Sequence, residues 1–253
     1  MKAALTAFHG YSGLISLMEH AVVYSVKEIF PTLQGEGFHT GRAAVFCRFA
    51  GCNLWNGREG DRAHALCRFC DTDFIGTDGP GGGRFHKAAD LAQSILQAWQ
   101  AGTGDQGHAS CSPLVRPYVV FTGGEPLLQL DQPLIQALKQ LDFEVGVESN
   151  GTLKAPLGID WLCISPKGRA PLVQASGDEL KFIYPQTDAS PELFTTLPFK
   201  HFWLQPLDIP APSAEAGQPP LRSAENVQAA VRYCQTHPQW RLSLQTHKLI
   251  GIP

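Results

Sequence analysis

Three cysteines give this chain its first chemical signature. Cys52, Cys67 and Cys70 stand as C-x14-C-x2-C. Two thiols separated by two residues, in Cys67-Arg68-Phe69-Cys70, reach one metal centre from a single turn. Cys52 follows the apolar run Ala43–Phe49 (AAVFCRF), which reads as a buried strand, and parallel α/β folds carry their chemistry at the carboxyl ends of strands. An iron–sulfur cube wants four ligands, so three protein thiolates leave one iron open to a small molecule that receives an electron. The same residues also allow a structural zinc, with His64 or Cys47 as fourth ligand, although the second C-x2-C half of a zinc ribbon is missing. Cys47, Cys111, Cys163 and Cys234 read as core or surface residues, and Cys163 and Cys234 fall on apolar stripes.

The second segment is Thr122-Gly123-Gly124-Glu125-Pro126, at the end of the apolar run Tyr118–Thr122. Paired glycines at a strand end allow close approach of a ligand to the backbone, Glu125 can accept from an amino group, and Pro126 suits the first turn of a helix. By itself the segment reads first as an ordinary turn between strand and helix. One charged residue is out of place in an apolar strand: Arg48 in Ala43–Phe49, which needs an anion or an acidic partner; Glu148, at the end of Glu144–Ser149 (EVGVES), also reads as a solvated strand-end residue.

The elements that position these residues alternate in type. Ala43–Phe49, Tyr118–Thr122, Glu144–Ser149, Trp161–Ser165, Glu179–Ile183, His201–Leu204 and Arg241–Leu244 read as strands, mostly continuous apolar runs of the kind buried on both faces of a parallel sheet. Helical periodicity falls in Lys87–Ala101, Gln132–Leu141 and Ala224–His237, the last with Ser223 as N-cap. Asn150–Asp160 and Pro166–Asp178 are too short and too rich in Gly and Pro for full helices, and Gly76–Gly83 and Pro210–Leu221 read as loops. The expected fold is α/β, a partial (β/α) barrel with some helices trimmed away.

With 253 residues, of which 43% are hydrophobic and 17% charged, the chain is long enough for one sizeable core and unlike a disordered sequence. A net charge of -3 excludes a surface built to neutralise many phosphates, so no nucleic-acid partner is expected. No apolar run reaches about 18 residues, so no membrane span is expected. An odd count of seven cysteines without a secretory leader points to a reducing compartment, the cytoplasm. Residues 1–17 read as an N-terminal extension of unknown role ahead of a second possible start at Met18, and 18–253 as one domain.

Joined, the cysteines and Gly-Gly-Glu-Pro resemble the radical S-adenosylmethionine (radical SAM) superfamily, whose usual spacing is C-x3-C-x2-C; this chain inserts eleven residues between the first two cysteines. That departure, with Lys27-Glu28-Ile29-Phe30-Pro31-Thr32-Leu33-Gln34-Gly35-Glu36-Gly37, Phe46-Cys47-Arg48-Phe49, Cys70-Asp71-Thr72 and Gln245-Thr246-His247-Lys248, is similar to the 7-carboxy-7-deazaguanine synthase family of queuosine biosynthesis, some members of which carry the same spacing. The resemblance runs from about Tyr24 to Pro253 and is thinnest across 102–116 and 210–222.

It implies a carbon–nitrogen lyase of the radical SAM barrel type that converts 6-carboxy-5,6,7,8-tetrahydropterin to 7-carboxy-7-deazaguanine, with ring contraction and loss of ammonia. One-electron reduction of SAM yields a 5′-deoxyadenosyl radical that takes the hydrogen from C6 of the substrate, and SAM is regenerated. By this resemblance Cys52, Cys67 and Cys70 hold a 4Fe–4S cluster and Thr72 binds Mg2+, with Asp71 and Asp73 near it. Phe69, Gly124, Glu125, Ser165, Pro166, Lys167, Gln205, Pro206, Leu207 and Asp208 contact SAM. Leu33, Gln34, Gly35, Glu36, Arg48, Thr122, Glu148, His247 and Pro253 contact the substrate, Pro253 through the terminal carboxylate. Glu148 suits the paired N–H groups of the pterin edge, and Arg48 suits its carboxylate. An electron donor such as a flavodoxin or ferredoxin is implied, as is a homodimer. Two rivals share the cysteines: an activase that places a glycyl radical on a protein partner, and a non-enzymatic zinc-binding module. The expected outcome of elemental analysis on protein purified without oxygen is iron and sulfide with visible colour; tightly held zinc without iron contradicts the reading.

Overall fold

The computed structural model describes residues 23–104, 116–208 and 224–253. The proposed extension 1–17, Cys111, Ser223 and the loop Pro210–Leu221 lie outside these residues. A nine-stranded sheet runs in the order β3-β1-β2-β4-β5-β6-β7-β8-β9. Its strands are β1 (Tyr24–Leu33), β2 (Ala43–Phe49), β3 (Gly83–Phe85), β4 (Tyr118–Gly123), β5 (Glu144–Ser149), β6 (Trp161–Ile164), β7 (Gly177–Tyr184), β8 (Phe199–Pro206) and β9 (Trp240–Leu242). β1 is antiparallel to β2 and β3, and every pair from β2 through β4 to β9 is parallel. Helices α1 (Ala88–Thr103), α2 (Gln132–Gln140) and α3 (Ala224–Thr236) connect some of them, and α4 (Thr246–Ile250) follows β9. The linear strand order leaves the sheet open, as a partial barrel requires.

The seven strands read from sequence are all present, with ends shifted by up to two residues. The stretches 150–160 and 166–176 hold no helix, as their composition dictates. Two strands were not foreseen. β1 carries Lys27, Glu28 and Pro31, which break the apolar pattern, and it tolerates Pro31 because β3 pairs only with Tyr24–Val26 and leaves that stretch at an edge. β3 begins at Gly83, inside the segment read as a loop, and the Pro80 carbonyl accepts from the Ile29 N–H at 2.7 Å, so this loop covers the β1 edge. His247, expected at a strand end, lies instead in α4, after a β9 that stops at Leu242.

The two faces of the sheet do different work. Outward residues, Val45, Cys47 and Phe49 on β2, Val119 and Phe121 on β4, Val145 and Val147 on β5, Leu180 and Phe182 on β7, join Leu91, Ile95, Leu134 and Leu138 of the helices in the main core. Phe49 and Phe121 stack there at 5.4 Å between centroids. Each such fully buried side chain contributes about 1.5–3 kcal/mol. The inner face holds only a small apolar cluster, Ala44, Tyr118 and Val120 with Phe46 beside it. Towards the C-terminal ends of the strands that face becomes polar: Arg48, Thr122, Glu148, Lys181 and Gln205 alternate with the core residues of their own strands. Among the described residues no helix is long and apolar enough to cross a membrane.

Candidate active site

A cavity of about 380 Å³ opens at the C-terminal ends of the parallel strands. It brings together almost every residue singled out from sequence: Cys52, Cys67, Phe69, Cys70 and Thr72; Leu33, Gln34, Gly35 and Glu36; Arg48, Thr122, Gly124 and Glu148; Ser165, Lys167 and Gln205, Pro206, Leu207, Asp208; His247 and Pro253. Glu125 and Pro166 are not part of its lining.

The glycine pair at the end of β4 owes its identity to the protein's own backbone. A Cβ on Gly124 would run into the Gly51 carbonyl, and one on Gly123, whose φ is +119°, into the Phe49 carbonyl. The Gly124 N–H donates to Phe49 O at 3.2 Å and the Glu125 N–H to Gly51 O at 3.0 Å, which pins the turn before Cys52 to β4. Glu125 is wholly buried and accepts from Leu127 N, Ser149 Oγ and Asn150 N at 2.8–2.9 Å. Burial raises its pKa while those three donors and Lys167 pull it down. Its carboxylate therefore ties β4 to β5 rather than facing the cavity. Asn53, unmarked in the sequence, completes the tie: its amide donates to Thr152 Oγ1 at 2.7 Å and its oxygen accepts from Asn150 Nδ2 at 3.0 Å.

Cys67 and Cys70 share a hydrogen bond, which pushes the Cys67 thiol up and the Cys70 thiol down. Cys70 Sγ also lies 3.9 Å from Thr72 O. The inserted residues fold over this turn. Glu59–His64 form a short 3-10 helix from which Arg62 donates to the carbonyls of Arg68 and Cys70 at 3.1 and 3.0 Å and stacks over Trp55 at 4.0 Å. Neither zinc partner considered above is supported: Cys47 sits in the core with no exposure, and His64 is exposed. Among the described residues no three His, Cys, Asp or Glu side chains are grouped to hold a single metal ion.

The floor of the cavity is a charge network. Lys181, a lysine inside the buried run of β7, lies 2.5 Å from Glu36 Oε2 and 2.8 Å from Glu148 Oε2. Gln34 donates to Glu148 Oε1 at 2.9 Å, and its own oxygen accepts from the Glu36 N–H at 3.0 Å, so its amide is oriented from both ends. Gln245 donates to Glu36 Oε1 at 3.0 Å. Burial alone would raise Glu36, but Lys181 outweighs it and brings the carboxyl down to about 2. Burial alone would lower Lys181, and Glu148 and Glu36 hold it well above its ordinary value. Lys181 is one residue that sequence reading missed; the signal was a cation in an apolar strand, the same sign that marked Arg48.

Arg48 pairs with Glu28 through Nε at 2.7 Å, and among the described residues no partner is found for its Nη groups. Phe69 lies 5.8 Å from Lys167 Nζ, which donates to Ser165 Oγ at 2.5 Å. Lys248 joins Asp71 at 2.6 Å to Asp208 at 2.9 Å across the cavity mouth. The loop after β1 is fixed by α4. Thr246 donates to Gly35 O through both N and Oγ1 at 2.9 Å, and a side chain on Gly35 would strike the His247 ring. Pro253 O accepts from Thr32 Oγ1 at 2.7 Å.

An open, mainly parallel sheet that gathers ionic side chains and thiols around one cavity at its C-terminal edge is the frame of a small-molecule enzyme. No protein-family model matches the chain. It is 59% identical over 232 residues to a 7-carboxy-7-deazaguanine synthase of Bordetella pertussis, a match that covers 92% of this chain and all of that protein. Identity to a 7-carboxy-7-deazaguanine synthase of Caulobacter vibrioides is 54% over the same shares. Among solved structures, QueE from Escherichia coli aligns with a TM-score of 0.57 at 25% identity, over 88% of this chain and 93% of that one. The chain belongs to the 7-carboxy-7-deazaguanine synthase family, an enzyme family of 7-deazapurine biosynthesis.

Glu179, below the floor, yields a pH test. Burial pushes its carboxyl up to about 7 despite Lys181. A folded-state value above the unfolded one stabilises most below about pH 4.5, and that contribution is lost as pH rises through 7. Glu179→Gln keeps an oxygen for the Phe38 N–H and Trp161 Nε1, which donate to it at 3.2 and 3.3 Å. The variant is expected to melt a few degrees above the parent at pH 8 and close to it at pH 5, as thermal unfolding at both pH values would measure.

Proposed function

We propose that this chain converts 6-carboxy-5,6,7,8-tetrahydropterin to 7-carboxy-7-deazaguanine, with ring contraction and loss of ammonia. The observation that carries the reading is that the three cysteines and the Gln34–Glu148–Lys181 floor face the same cavity. Cys52, Cys67 and Cys70 would hold a 4Fe–4S cluster, and the fit rests on three thiols that line one cavity and leave the fourth iron to a ligand. Bound there, the cluster and SAM would supply the one-electron chemistry that starts the rearrangement.

The chain's own residues bind and orient. Glu148, held acceptor-first by Gln34 and Lys181, would take the adjacent N–H groups of the pterin edge. Arg48, anchored by Glu28 through Nε, offers its Nη groups to the substrate carboxylate. Thr72 would offer its hydroxyl to Mg2+, an ion that takes few protein ligands and would offset the charge of the substrate carboxylate. Ser165, Lys167 and Gln205–Asp208 line the same cavity and suit SAM, with Phe69 near its adenine; Gly124 lets β4 approach Cys52 closely. Glu125 and Pro166 act from behind the lining, by holding the turns. Thr122, Leu33, Gly35, Glu36, His247 and Pro253 complete the substrate side. The reading implies a flavodoxin or ferredoxin as electron donor, a homodimer and a reducing compartment, the cytoplasm.

The test is anaerobic reconstitution with iron and sulfide, followed by reductant, SAM, Mg2+ and the carboxytetrahydropterin, with the deazaguanine product measured by mass. Product is expected, and Glu148→Gln should lower kcat/KM by about 100-fold, the loss of a charge-assisted pair. Thr72→Ala should flatten the Mg2+ response. Absence of product from cluster-loaded protein contradicts the assignment.

A further inference from the structure

Lys181 has only 4% of its side chain exposed, yet it touches no apolar-core partner through its charge: both contacts are carboxylates that line the cavity. The two glutamates arrive from different elements, Glu36 from the loop between β1 and β2 and Glu148 from β5. Each has a second, neutral amide donor, Gln245 and Gln34 respectively. An ionised carboxylate only accepts hydrogen bonds, whereas a protonated one also donates. Two carboxylates this close to one point would share a proton without the cation between them. The ammonium therefore decides what the floor looks like to a ligand.

We infer that Lys181 is a specificity-determining positioning residue: it keeps Glu36 and Glu148 as an all-acceptor floor that selects a heterocycle edge with adjacent N–H donors over the corresponding oxo compound. The inference rests on the pterin reading of the cavity and deepens it. Other titratable groups that bear on Lys181 and its two carboxylates are Glu179 of β7, Cys163 of β6, Tyr118 of β4, Asp71 after the cysteine loop and His247 of α4. Because Lys181 also acts on Glu179, Cys163 and His247, parent and Lys181 variants are compared in a Glu179→Gln background, and the ratio of the two ligands' affinities, in which a contribution common to both ligands cancels, reports the floor.

The experiment measures binding of 6-carboxypterin, an unreactive fluorescent analogue, and of its oxo counterpart 6-carboxylumazine to the cluster-loaded protein between pH 6 and 8. The parent is expected to prefer the pterin by about tenfold or more, the worth of one well-made hydrogen-bond pair to a charged group. Lys181→Met should lose most of that preference. Its pterin affinity should rise with pH more steeply than the parent's, because a carboxylate without its cation regains the acceptor form only as the proton leaves. Lys181→Arg should retain both the preference and the parent's slope. Circular dichroism and melting temperature verify the fold. Should Lys181→Met not fold, Lys181→Gln, which keeps an amide donor between the two carboxylates but no charge, carries the same expectation. A folded variant without the ammonium that keeps the parent's preference and slope overturns the inference while leaving the pterin reading intact. A parent protein that binds neither compound overturns the pterin reading itself, and the inference with it.

Discussion

The close approach of two backbones, β4 at Gly123-Gly124 and the Gly51-Cys52 turn after β2, is the constraint on which the site depends. It leaves no room for side chains, so the position of Cys52 is set by the sheet rather than by a loop. Glu125 and the amides of Asn53 and Asn150 carry that placement on to β5, and so to the strand that bears Glu148. The Gly-Gly-Glu-Pro segment is thus first a structural joint. Its glycines admit a neighbouring turn, and its glutamate satisfies buried donors that would otherwise cost about 1–3 kcal/mol each.

A second constraint acts on the inner face. Parallel strands covered by helices present one side chain in two to the interior, and here those positions carry charge at the C-terminal edge. Burying Glu36, Glu148 and Lys181 together is tolerable because the cation lies within 2.8 Å of both anions. Removing one member of such a buried set typically costs about 3–5 kcal/mol. Arg48 with Glu28, and Lys248 with Asp71 and Asp208, repeat the arrangement nearer the mouth. These groups set three cations against five carboxylates, so the cavity is ionic with acceptors in excess, a setting that suits an N–H-rich ring, while the Nη groups of Arg48 are left for a ligand's acid.

Much of this was legible in the residues. The buried strands announced themselves as apolar runs, and Arg48 stood out because a charge in such a run needs a partner; Glu148 was marked only by the family resemblance. Lys181 and Glu179 lie inside Glu179–Ile183 and were passed over, because that run was read for its apolar residues alone. β1 was hidden by Lys27, Glu28 and Pro31, which an antiparallel edge strand accommodates and a central one would not. Nor could spacing alone disclose that Glu125 turns inward, that Asn53 links two strand ends, or that α4 packs His247 against Gly35; each arises from a contact distant in sequence.

The most direct test of the account is electron paramagnetic resonance of the anaerobically reconstituted, dithionite-reduced protein, recorded with and without SAM. An open iron at a cluster held by Cys52, Cys67 and Cys70 predicts the signal of a reduced 4Fe–4S centre whose shape changes when SAM is added, and its disappearance in a variant with all three cysteines replaced by alanine. A signal indifferent to SAM, or one that survives loss of those cysteines, would contradict it.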